Sequence, residues 1–101
     1  MQLKKFKKLS EKIMQEVMQT REEGQKEYAR THSDVFANFK RVAVDLDTTQ
    51  EKVLLTYFLK HKDGIASWVN GHTSQREDVR GRIKDAIVYL MLLWGMVEEK
   101  N

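Results

Sequence analysis

This chain of 101 residues has no cysteine, no proline and only five glycines. The missing cysteine excludes a disulfide framework, a thiolate metal site and a cysteine nucleophile. The chain contains no glycine-rich nucleotide loop and no His-Glu-x-x-His zinc motif. Nor does it have an apolar run long enough to span a bilayer. The longest apolar stretch, residues 86–97, has twelve residues with only Gly95 interrupting it, where a spanning helix needs about 20. The start, MQLKKFKKLSEK, is basic, but no apolar signal-peptide core follows. Secretion is therefore not expected, and a reducing interior, the cytoplasm of a bacterial host, fits. The formal net charge is only +3, too small to imply nucleic-acid binding by itself. Ser10, Ser33, Ser67 and Ser74 lie in no nucleophile motif, and His32, His61 and His72 are spread over different segments.

What remains is helical. Leu, Lys, Glu, Gln and Met are frequent, and all are good helix formers. The stretch around which the chain is organised is RIKDAIVYLMLLWGMV, residues 82–97. A helix apolar on all sides needs protein around most of its circumference. Either the other helices supply that cover or a second copy of the chain does. Its main seam reads Val79, Ile83, Ala86, Ile87, Leu90, Leu93, Trp94 and Val97.

Ahead of it, Leu3, Phe6, Leu9, Ile13 and Val17 recur at helical spacing and predict one long amphipathic helix over residues 3–30. Its second half is polar, either exposed to solvent or lining a polar cleft. Thr31-His32-Ser33-Asp34 ends it, and a second helix over residues 34–46 turns Val35, Phe36, Phe39, Val42, Ala43 and Leu46 inward. Thr48 and Glu51 have capping-box spacing and open a third helix over 49–62, ended or kinked at Asp63-Gly64. Val53, Leu54, Tyr57, Phe58 and His61 would face inward on it. A short apolar turn, Ile65 to Val69, then leads to the connection Asn70-Gly71. Ser74 and Glu77 repeat the capping-box spacing before a last helix over 75–99. The expected fold is all-α: one domain over residues 1–101, a four- to five-helix bundle with a long N-terminal helix and a very apolar C-terminal helix, completed by homo-oligomerisation through that helix.

The carboxylates are the chemically suggestive residues. Glu23 and Glu27 share a face of the first helix, and Asp85 stands at the edge of the apolar rod. If they converge across a bundle they can hold Mg²⁺, which would clamp a polyphosphate and activate a water. Lys60, Arg82 and Arg21 would then contact phosphate, and Asn38, mid-helix, would orient the site. The structural alternative is a solvated glutamate face with Asp85 paired to Lys60 or Arg82. Tyr89, one turn on from Asp85, can point its hydroxyl to the same place.

The order of HSDVFANF at residues 32–39, Thr-x-x-x-Val at Thr49 and Val53, Lys60-His61-Lys62, and Asp85-x-x-x-Tyr89 resembles small phage and bacterial proteins of the nucleotide-modification-associated and MazG-like groups. These look like all-α relatives of nucleoside triphosphate pyrophosphohydrolases, and the likeness covers roughly residues 20–97. It implies a Mg²⁺-dependent site for a (d)NTP. The family pattern is Glu-x-x-Glu on one helix and Glu-x-x-Asp on a later one. Here Asp85 matches the final Asp, but Arg82 stands at the preceding Glu position, and Glu23 and Glu27 are spaced by four. Replacing a ligating Glu by Arg reverses the charge and favours direct contact with phosphate. Two readings follow: a modified hydrolase, or a non-enzymatic oligomeric module that sequesters a nucleotide or inhibits a host protein. Nucleic-acid binding through Lys4, Lys5, Lys7, Lys8 and Lys12 is a third.

Overall fold

The computed structural model describes residues 1–29, 33–72 and 76–100. These form four α-helices and no strand. They are α1 (Leu3–Gly24), α2 (Ala37–Asp45), α3 (Gln50–Val69) and α4 (Val79–Lys100). A π-helical turn, Gln25–Ala29, continues α1. No helix is long and apolar enough, among the described residues, to cross a membrane.

The helix ends show what sets them. Asp34 caps α2 from outside: its Oδ1 accepts from the Phe36 N–H at 2.9 Å and its Oδ2 pairs with Lys40 Nζ at 2.6 Å. The helix proper therefore starts at Ala37, three residues later than expected. At α3 the cap is Thr49, whose hydroxyl accepts from the Lys52 N–H at 3.3 Å. The expected Thr48 instead closes the end of α2, its N–H donating to the Ala43 carbonyl at 2.9 Å. Asp47, beside it, has φ +52°. This is the left-handed residue of a Schellman ending, a conformation Asp tolerates better than most side chains. Gly71, at φ +88°, plays the same part after α3, with His72 N–H donating to the Ser67 carbonyl at 3.1 Å.

The helix does not end at Asp63-Gly64, one of the two outcomes expected there, and α3 runs on to Val69. A mid-helix glycine costs about 1 kcal/mol relative to alanine, too little to stop a helix that packs on a neighbour at that point. The neighbour is α4: a Cβ built on Gly64 would overlap Cδ, Nε and Nη1 of Arg82. Helix α4 starts at Val79 rather than at 75, and Asp78 caps it by accepting from the Arg80 N–H at 2.8 Å. That hydrogen bond is the first cause of a lowered Asp78 pKa. The proposed chain break at Thr31-His32 and the Ser74 cap lie outside the described residues.

Helices α3 and α4 lie antiparallel, matched at His61 with Asp85, at Gly64 with Arg82 and at Glu51 with Lys100. Helix α2 packs on α3, and α1 on α4. The core is Phe36, Phe39, Ala43, Val53, Leu54 and Met96, with Val42, Tyr57, Tyr89, Leu92 and Leu93 packed against it. Gly95 lets the Phe36 ring come close to α4, since a Cβ there would stand 3.0 Å from its Cζ.

Two apolar expectations fail, and the rod of the last helix is left partly open. Leu46 is exposed, carried outward by the turn at Asp47. In the stripe of α1 Val17 is fully buried, while Leu3 and Phe6 stay more than half exposed. Beyond the Glu16–Lys84 ion pair (3.5 Å) the start of α1 projects as an arm. The radius of gyration is accordingly 15.4 Å, against about 13 Å for a compact chain of this length. The rod of α4 is covered on one side only. Ala86 and Met96 are buried, but Leu90 is 50 % exposed and Trp94 70 %.

Candidate functional site

The C-terminal part of α1 and its π-turn, with α2, α3 and α4, enclose a cavity of about 600 Å³. Its floor is aromatic. Phe39, Tyr57 and Tyr89 stand with ring centroids 6.1, 6.2 and 6.4 Å apart, and the His61 ring is 5.5 Å from Tyr89. These distances lie in the range of favourable tilted and edge-on ring pairs. The arrangement follows from helical periodicity. Tyr57 and His61 are one turn apart on α3, Asp85 and Tyr89 one turn apart on α4, and the antiparallel packing sets the two pairs level.

The rim is charged and polar: Arg21, Glu23, Glu27, Asn38, Lys60 and Asp85. Glu23 and Glu27 come from two geometries, the end of α1 and the π-turn. Such turns recur at functional sites because they redirect side chains that an α-helix would stack. Glu23 Oε1 accepts from Gln19 Nε2 at 3.3 Å. Asn38 Oδ1 accepts from Arg41 Nη2 at 3.0 Å, which leaves its amide group as the donor side.

Of the residues expected at a site, Arg21, Glu23, Glu27, Asn38, Lys60, Asp85 and Tyr89 thus line one cavity. Arg82 is not among the lining residues. Its side chain crosses α3 at Gly64, and its Nε is buried without a hydrogen-bond partner among the described residues. Asp85 also departs from expectation, because the basic side chain it faces is His61, charged only when protonated, rather than Lys60 or Arg82. His61 Nδ1 lies 3.7 Å from Asp85 Oδ2, too far for a hydrogen bond. Burial raises the Asp85 pKa above the ordinary 3.8, against the opposing pull of His61 and with a further push from Glu77.

The three carboxylates share the cavity without forming a metal cage. Among the described residues no group of three or more His, Asp or Glu side chains is placed to hold a metal ion. Sequence reasoning passed over the aromatic floor and gave His61 no role, treating Tyr57, Phe39 and His61 only as inward-facing positions. The signal was present as two matched i,i+4 pairs, Tyr57/His61 and Asp85/Tyr89, on consecutive helices.

Comparisons with protein-family models, with curated proteins and with solved structures found no match.

Proposed function

We propose that this protein binds a nucleotide in the cavity between α1, α2, α3 and α4. The observation that carries the reading is the union, in one cavity, of an aromatic floor and a rim bearing both signs of charge. Aromatic faces stack on any base. Of the three cations expected at phosphate, Lys60 and Arg21 would take it without Arg82, and the Asn38 amide would orient the ligand. The likeness to MazG-like proteins at Asp85 and Tyr89 points the same way. Two cations face three carboxylates at the rim, so a bare polyphosphate meets repulsion. A nucleoside monophosphate, or a di- or triphosphate already complexed with Mg²⁺, fits better. Because the carboxylates form no cage, Mg²⁺ belongs in this reading to the substrate.

The test is a thermal-shift and calorimetric series with nucleoside mono-, di- and triphosphates, with and without Mg²⁺. Saturable binding with a raised melting temperature is expected. No response to any of them removes the proposal. Salt-dependent retention on DNA without a nucleotide response would transfer the function to the lysines of the arm.

A catalytic second reading is favoured by the His61–Asp85 pair. His61 would accept a proton from a water whose oxygen attacks the α-phosphorus, breaking the anhydride bond to release pyrophosphate, while Asp85 steadies the imidazolium. Pyrophosphate release from a dNTP separates this enzyme from a module that only sequesters the nucleotide or acts on a host protein. We also propose that the chain works as a homo-oligomer joined through α4, supported by the exposure of Leu90, Trp94 and Val97.

A further inference from the structure

Helix α4 carries a second face, which the cavity does not use. Asp85, Val88, Tyr89 and Leu92 line the cavity. On the opposite side Ile83, Ile87, Leu90, Trp94 and Val97 recur at alternating spacings of four and three, the rhythm of a coiled-coil seam. All but the half-buried Ile87 are exposed. Helix α3 continues this face with Leu55 and Leu59, both exposed. Two helices about 30 Å long and together about 20 Å across present about 600 Å². That approaches the ~800 Å² per partner of a stable interface, which a second copy of the same face would match by self-complementarity.

Charge decides the direction. Arg80 and Glu98 are separated by eighteen residues, which is five helical turns, so they stand on the same edge of the seam. Within the chain Arg80 already pairs with Asp78 at 3.0 Å, and Glu98 accepts from Trp94 Nε1 at 3.0 Å, so a contact across copies would add to these bonds. Parallel helices related by a two-fold along their length would put the two copies of Glu98 on opposite edges of the seam, and likewise the two copies of Arg80, where neither meets an opposite charge. Antiparallel helices bring Arg80 beside Glu98 of the other copy, once at each end. We propose that two copies of this chain pair across the α3–α4 face with two-fold symmetry and antiparallel α4 helices, the axis passing at Leu90. Leu90 then meets its own copy, Ile83 meets Val97, and in α3 Leu55 meets Leu59. The proposal rests on the association through α4 stated above and adds its direction and register. The cavity, on the other side of α4, stays open in such a pair.

The absence of cysteine makes the test direct. Sedimentation should give twice the chain mass of 11.9 kDa. Under oxidation or with a short bis-maleimide, Leu90→Cys should cross-link to itself. Ile83→Cys mixed with Val97→Cys should cross-link, and Val97→Cys alone should not. Trp94→Glu, at an exposed position, should sediment as a monomer with unchanged helical circular dichroism. A wild-type monomer at tens of micromolar overturns both the association and its geometry. A dimer in which Val97→Cys links to itself overturns the antiparallel direction, and a dimer in which none of these variants links overturns the face.

Discussion

His61 and Asp85 face each other across the α3–α4 seam at the wall of the cavity, Nδ1 to Oδ2 at 3.7 Å, and neither Lys60 nor Arg82 takes the place of that imidazole. Asp85 is 34 % exposed, and burial holds its pKa above the ordinary 3.8. A carboxyl whose pKa is raised by folding binds its proton more tightly in the folded state. Stability from this group is thus greatest at low pH and falls as pH rises through the raised value. Asp85→Asn removes the charged form. The variant should melt higher than wild type at neutral pH, and the difference should shrink to nothing as pH falls below 3.8. Melting curves from pH 3 to 8 check this, and a variant less stable than wild type at neutral pH would show that the His61 attraction outweighs burial.

The separation of Lys60 from Arg82 gives a second prediction. Lys60 lines the cavity and Arg82 does not. Losing a charge-assisted hydrogen bond costs about 1.5–3 kcal/mol, so Lys60→Ala should weaken nucleotide binding roughly 10-fold or more with little change in melting temperature. Arg82→Ala should leave the dissociation constant within about two-fold, since each 1.4 kcal/mol is a factor of ten. Calorimetric titration of both variants checks it. Equal losses of affinity would put Arg82 back at the site.

How far this was legible in the sequence depends on the range of the interaction. The helices follow from periodicity, and Glu23 and Glu27 stand out because residues a turn apart share a face. Asp85, Asn38 and Lys60 stand out because a carboxylate at the edge of an apolar run, a mid-helix Asn and a cation each suggest a task. Long-range packing was not legible. Nothing local says that Arg82 lies across Gly64 rather than into the cleft, or that Asp85 meets His61. The missed cap at Thr49 has a similar cause. Thr48 and Thr49 are equally good caps in isolation, and the Schellman ending after α2 engages the backbone of Thr48 first. The rod of α4 shows a third limit. Its apolar circumference is plain from residues 86–97, yet only the structure shows that it is the side of Leu90 and Trp94 that the chain's own packing leaves uncovered.

The Gly64–Arg82 contact makes a coupled prediction. Glycine inside α3 costs about 1 kcal/mol relative to alanine, so Gly64→Ala has that much to gain. In the wild-type background the new methyl overlaps the outer atoms of Arg82, which must swing away from a place where Nε is buried. The gain should therefore be reduced or lost in wild type and recovered, about 1 kcal/mol, when Arg82 is already Ala. Urea unfolding of the two single variants and the double variant measures the coupling. Strict additivity would mean that Arg82 moves aside freely.

The two Schellman endings test backbone strain with opposite signs. Gly71 at φ +88° sits where only glycine is comfortable, and a Cβ there would touch nothing within 4 Å, so space is not the issue. Gly71→Ala should lose about 1 kcal/mol from the left-handed backbone alone. Asp47 holds the equivalent place after α2 at φ +52° with a side chain attached. Asp47→Gly relieves the same strain but loosens the unfolded chain. The net change should be small, between zero and about 1 kcal/mol of added stability. Both are read from urea midpoints at constant slope. A clear loss in Asp47→Gly would mean that the carboxylate, and not the turn geometry, is what holds the α2–α3 connection, and would give Asp47 a partner in the folded chain.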